Sequence, residues 1–176
     1  MRTILLLLAS QIACGAGISA EQFRCPGHEV KLSSYYGFCA GTTAEEQLYA
    51  ADEIDRVWGF AMHAVMIDYN IPCDPNNRPP RVRGFTAIRF VDETEPGAER
   101  SSVPGMHRAG WTLIDERQRL VTIVRGRYEN SAVIAHEMGH SWGIRQHVGT
   151  GVMQASSPGY RVTYSDFAAL CKGFDE

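Results

Sequence analysis

Past its first twenty residues the chain has no apolar run approaching the ~20 residues that cross a bilayer, so no transmembrane segment is expected in the body. A basic excess is missing as well. Its 17 Lys+Arg stand against 20 Asp+Glu, a formal balance of −3, which offers no positive field for phosphates and argues against nucleic acid as a partner. Internal repeats and low-complexity tracts are absent. What is there is 176 residues, 44% apolar and 10% aromatic, the profile of one globular domain with no room for a second.

Arg2, the apolar run Ile4–Ala9 and the small residues Ala13, Gly15, Ala16, Gly17, Ser19 and Ala20 read as a secretory signal peptide over residues 1–20, cut after Ala20. Secretion or a periplasmic location follows as an expectation. Ala13-Cys14-Gly15 resembles the end of a lipobox, which would anchor the chain through Cys14. Gln11 stands where that pattern wants an aliphatic residue, so simple export is preferred.

With Cys14 inside the signal, Cys25, Cys39, Cys73 and Cys171 remain, an even set suited to an oxidising compartment, and two disulfides are expected. Three pairings exist. The favoured one joins Cys25 to Cys39 and Cys73 to Cys171.

Residues 21–41, with Pro26-Gly27, Ser33-Ser34 and Gly37 and no sustained period, read as a disulfide-tied N-terminal loop ahead of a domain over 42–176. Thr42-Thr43 with Glu45-Glu46 behind them predicts a helix start. Apolar positions from Leu48 through Ile54, Val57 and Ala61 to Met66 continue in steps of three and four, predicting one long helix to about Asn70. Residues 84–91 read as a strand, and 111–114 and 120–124 as a hairpin about 115–119. Asn130 is expected to cap a helix over 131–142 closed by Gly143, and a short last helix spans 164–170.

The helix over 131–142 carries His136-Glu137-Met138-Gly139-His140. At 100° per residue, positions i and i+4 share a face one turn apart, so both imidazoles can address one ion. Glu137 falls beside them, placed to take a proton from a water at an open coordination position without filling one. The preceding Ala132–Ala135 is apolar, and burying two histidines beside a carboxylate is costly without an ion or full hydrogen bonding.

Extended through Gly143, His147 and Gly151-Val152-Met153, this stretch resembles the metzincin clan of zinc peptidases. The resemblance covers about residues 43–171. It implies an α+β fold with an α/β-type sheet: small, twisted and mostly parallel, with one antiparallel edge strand that binds substrate, plus a backing helix, an active-site helix and a C-terminal helix. It also implies one catalytic Zn2+, Glu137 as general base, and Met153 as the methionine turn under the histidines. The clan pattern puts the third ligand at position 146, which is Gln146 here, with His147 one later. An imidazole is the better ligand, so His136, His140 and His147 are the expected set; the alternative leaves Gln146 as a weak ligand or the third position empty.

The function expected is secreted endopeptidase, acting as a monomer on a peptide or protein substrate. The alternative is an inactive metzincin-like binding module. Trp111, Thr112 and Leu113 on the edge strand are candidates for holding substrate, and Ser156–Val162 for the wall of the specificity pocket. Tyr160 is a weaker candidate for stabilising an oxyanion, with an ordinary surface or core tyrosine preferred. Arg24-Cys25-Pro26-Gly27 resembles a cysteine switch, although cysteine parity favours a disulfide. His28, His63 and His107 lack companions at ligand spacing. Asp92, Glu93, Glu95 and Glu99 are a candidate Ca2+ loop, with a solvated loop the default.

Overall fold

The computed structural model of this chain describes Cys25 and residues 32–67, 70–71, 73, 85–98, 107–115, 118–129, 131–156 and 158–175. The expected signal segment 1–20 with Cys14, and also Arg24, Pro26, Gly27, His28, Glu99 and Asn130, lie outside the described residues. The elements run β1 (Leu32–Phe38), α1 (Ala44–Trp58), β2 (Met62–Met66), β3 (Phe85–Val91), β4 (Gly110–Asp115), β5 (Gln118–Val124), α2 (Val133–Ser141) and α3 (Tyr164–Asp175). This is an α+β arrangement of one five-stranded mixed sheet and three helices among the described residues.

Strand order is β2-β1-β3-β5-β4. β1 pairs parallel with β2 and with β3, and β3 parallel with β5, while β4 alone runs antiparallel, against β5 at the sheet edge. Alternation sorts the strand residues. Ile88, Phe90, Val121 and Ile123 face a core shared with Ile54, Val57 and Trp58 of α1 and Ile134 and Met138 of α2, whereas Phe85, Ala87 and Leu120 build a smaller cluster with Cys39 and Ile71.

α1 starts as its sequence says. Thr43 is the N-cap: its hydroxyl accepts Glu46 N–H at 3.2 Å while Glu46 Oε2 accepts Thr43 N–H at 2.8 Å. The helix does not continue to Asn70, however. It ends at Trp58 with Gly59 as C-cap, and Met62–Met66 turns into β2, in register with Leu32–Tyr36. Apolar residues at 61, 62, 65 and 66 fit a helical period, but a short run also fits a strand, and pairing with β1 decides the matter.

That partner was itself missed. The expected loop over 21–41 contains β1, whose Leu32, Ser34 and Tyr36 are buried and alternate with exposed Ser33 and Tyr35. Serine and glycine disguised the period. The hairpin stands where expected, with β4 and β5 extended to Asp115 and Gln118.

Two disulfides are present, with a different pairing from the favoured one: Cys25 bonds Cys171 and Cys39 bonds Cys73. The cause is β1, which carries Cys39 away from Cys25 and into a bridge with Ile71, two residues from Cys73. Cys25 is left against α3, its Cα 5.2 Å from that of Cys171. Among the described residues no helix is long and apolar enough to cross a membrane.

Candidate metal centre and its cleft

α2 is short, apolar and almost wholly buried, from Val133 through Gly139. Its first turn has no side-chain cap of its own, since the N-cap is Ala132. Glu53, from α1, accepts Ala135 N–H at 2.8 Å, and Trp58 Nε1 donates to the Ala135 carbonyl at 2.8 Å. Both backbone groups of the residue before His136 are thereby tied to α1. At the other end Gly143 adopts φ 108° and passes against Gly173, where a Cβ would meet the Gly173 carbonyl oxygen at 2.6 Å, so the chain turns towards His147 as only glycine readily permits.

His136 Nδ1 lies 2.7 Å from the Val152 carbonyl and His140 Nδ1 lies 2.6 Å from the Ile144 carbonyl. A carbonyl only accepts, so both Nδ1 atoms carry the proton and both Nε2 atoms present lone pairs. These converge. His140 Nε2 is 3.1 Å from His136 Nε2 and 3.3 Å from His147 Nε2, and one ligand atom from each of the three lies within 4.8 Å of the others. The first pair has no proton to share, so its approach is not a hydrogen bond; nitrogen ligands bonded at ~2.0–2.1 Å around a tetrahedral ion stand about 3.3 Å apart. Gln146 is exposed, and His147 is the side chain that joins the pair.

The three histidines can therefore hold a metal ion, and imidazole donors suit zinc, copper, iron or nickel alike. Electrostatics agree with ligand duty. Burial first, then the neighbouring imidazole of His140, pushes His136 down to about 4, and burial also lowers His140, so both rings are neutral near pH 7.

Glu137 is 7% exposed beside this cluster. Thr112 Oγ1 on β4 lies 2.7 Å from Glu137 Oε2 and 2.8 Å from the Glu137 carbonyl oxygen. Burial pushes the carboxyl up to about 7, against the pull of the Thr112 hydrogen bond and the Arg108 charge. Gly110 makes room: a Cβ there would come within 3.0 Å of Glu137 Cγ and 2.9 Å of Val133 Cγ1. These residues line a cleft of about 680 Å³, bordered by Trp111, Thr112 and Ile114 of β4 on one side and by Ser156 and Pro158 on another.

Met153 is fully buried, and its Sδ touches the place where a Gly139 Cβ would be, directly under the histidine-bearing turn of α2. Its backbone N–H donates to Asp166 Oδ1 at 3.2 Å, and Asp166 Oδ2 accepts Thr163 N–H at 2.6 Å. Leu113 is exposed on the edge strand and does not line the cleft. Tyr160 also lies elsewhere, its ring 4.4 Å beneath the Arg56 guanidinium. His63 sits on β2 and His107 at the cleft rim. Asp92 and Glu93 pair with Arg125 and Arg127, and Glu95 faces Arg89, so the acidic loop is held by arginines; among the described residues the histidine triad is the group that could hold a metal.

Glu53 and Arg108 went unnoticed in the sequence. Glu53 left a signal, being a charged residue within the Ala50–Ile54–Val57 stripe of an amphipathic helix. No protein-family model matches this chain, and no curated protein or solved structure matches it either.

Proposed function

We propose that the protein is a secreted zinc-dependent endopeptidase of metzincin type. The observation that carries this reading is the convergence of three histidine Nε2 atoms beside one buried carboxylate in a cleft edged by a strand. Zinc, when bound, supplies a Lewis acid that polarises the scissile carbonyl and lowers the pKa of water towards ~7.

The chain's own groups do the rest. His136, His140 and His147 hold the ion, the first two with their tautomers fixed by the Val152 and Ile144 carbonyls. Thr112 occupies Glu137 Oε2 and leaves Oε1 to receive a proton from the attacking water. As the water oxygen bonds to the carbonyl carbon, the C–N bond breaks and Glu137 passes the proton to the departing amine. An extended peptide adds to the outer edge of β4 by main-chain hydrogen bonds. The edge-strand topology, the backing helix α1 and the apolar Met153 floor support the metzincin assignment, while the two disulfides support secretion.

The test is cleavage of a mixed peptide library by residues 21–176 refolded with zinc, beside Glu137→Ala. Cuts made by wild type alone support the reading. A folded, zinc-loaded wild type that makes no cut overturns it in favour of a binding module.

A further inference from the structure

One basic group in the cleft enters that chemistry only through its charge, which draws the Glu137 carboxyl down. Arg108 lies two residues ahead of β4, half-buried, with its guanidinium carbon 5.7 Å from the centre of the Trp111 ring. Both residues line the same cleft as Glu137 and the three histidines. The ring is a fixed platform, packed against Val91, Ala98 and Val124 and with Gly97 close to its far edge.

Three other arginines of the sheet and its following turn, Arg89, Arg125 and Arg127, are paired with carboxylates within the fold. Arg125 pairs with Glu46 and Asp92, Arg127 with Glu93, and Arg89 faces Glu95. Among the described residues no carboxylate lies within 4.0 Å of the Arg108 guanidinium. Glu137 is the one acidic side chain among the described residues that line the cleft. In a chain with a balance of −3, Arg108 thus presents a guanidinium to the cleft with no carboxylate paired to it among the described residues, and a divalent ion would add positive charge beside it.

We propose that Arg108 determines specificity by binding a carboxylate of the substrate close to the bond that is cut. This rests on the peptidase reading and names its substrate class. A guanidinium held over an aromatic ring keeps its planar fork oriented for a carboxylate, with less freedom to lose on binding than a solvated lysine has. The carboxylate belongs either to an internal Asp or Glu or to the C-terminus of the substrate.

The experiment uses zinc-loaded Glu137→Ala as a non-cleaving receptor, immobilised and offered pooled random octapeptides. One pool fixes a central Asp and is blocked at both ends, a second replaces that Asp by Asn, and a third keeps Asn and leaves the C-terminus free. Retention is read by mass spectrometry. The Asp pool or the free-C-terminus pool is expected to be retained about tenfold over the neutral pool, and whichever it is identifies the source of the carboxylate.

Arg108→Gln in the same background removes the preference while neutral peptides bind as before, and Arg108→Lys restores part of it. Equal retention of all pools overturns the proposal. So does a preference that survives Arg108→Gln, which would assign the carboxylate to the metal, or an equal loss for every pool, which would reduce Arg108 to packing on Trp111. Retained peptides are then offered to wild type: if they stay uncut, the peptidase reading fails while Arg108-dependent binding stands.

Discussion

Glu53 Oε1 on α1 accepts the backbone N–H of Ala135 at 2.8 Å, one residue ahead of the first metal-facing histidine. A carboxyl group from another helix thus serves as the cap that Ala132 cannot provide, its oxygen accepting a backbone N–H in the first turn of α2. Trp58 fixes the carbonyl of the same residue. The pitch of α2, and with it the position of His136, is set by two side chains remote from the chemistry.

Glu53 makes stability depend on pH. Burial pushes its carboxyl up to about 7, whereas the unfolded chain releases that proton near the ordinary 4.5. Between these values the native state binds more protons, so its stability falls as pH rises through the window and stays lower above it. Glu53→Gln keeps an acceptor oxygen and cannot ionise. The stability of wild type minus that of the variant is expected to drop by on the order of 1–3 kcal/mol between pH 4.5 and 7.5, measured by urea unfolding. A difference that stays flat with pH removes Glu53 as the cause.

Gly139 is expected to tolerate no side chain. A Cβ there would collide with Met153 Sδ and come within 3.2 Å of the Trp58 ring. Gly139→Ala should cost ~1–3 kcal/mol by overpacking and lower metal affinity by tilting α2. Adding Met153→Ala opens the space, so the double variant should be more stable than the sum of the singles predicts. Strict additivity of the melting shifts would show that the contact is not felt.

The histidine cluster was legible in the sequence because its information is local: four-residue spacing on a helix and a glycine turn. So were the hairpin and the Thr43 cap. The disulfide pairing was not, since it depends on β1, and β1 in turn depends on accepting Met62–Met66 as its partner strand. Neither strand declares itself alone. Thr112 was noticed as a substrate contact for its place on the edge strand, yet its hydroxyl points to Glu137, a relationship between residues 25 apart that no periodicity encodes.

The ligand assignment is decided by metal content. The refolded protein is expected to hold one zinc ion per chain, and His147→Ala to lower the affinity by on the order of 10²-fold or more, since two histidines remain. Gln146→Ala, altering an exposed side chain, should leave it unchanged. Both are read by zinc titration against a chelating dye. Loss on Gln146→Ala with retention on His147→Ala would reverse the assignment.

Thr112 separates positioning from substrate binding. Its hydroxyl holds Glu137 Oε2 at 2.7 Å, and Thr112→Val is isosteric without the hydroxyl. If the hydroxyl orients the general base, Thr112→Val should lower kcat by roughly 10- to 100-fold, with KM and zinc content unchanged, because the lost contact is to the base and not to the peptide. Thr112→Ser keeps the hydroxyl and should recover most of the rate. A rise in KM at constant kcat would return Thr112 to the substrate-contact role that its place on β4 first implied, and would leave Glu137 positioned by α2 and Gly110 alone.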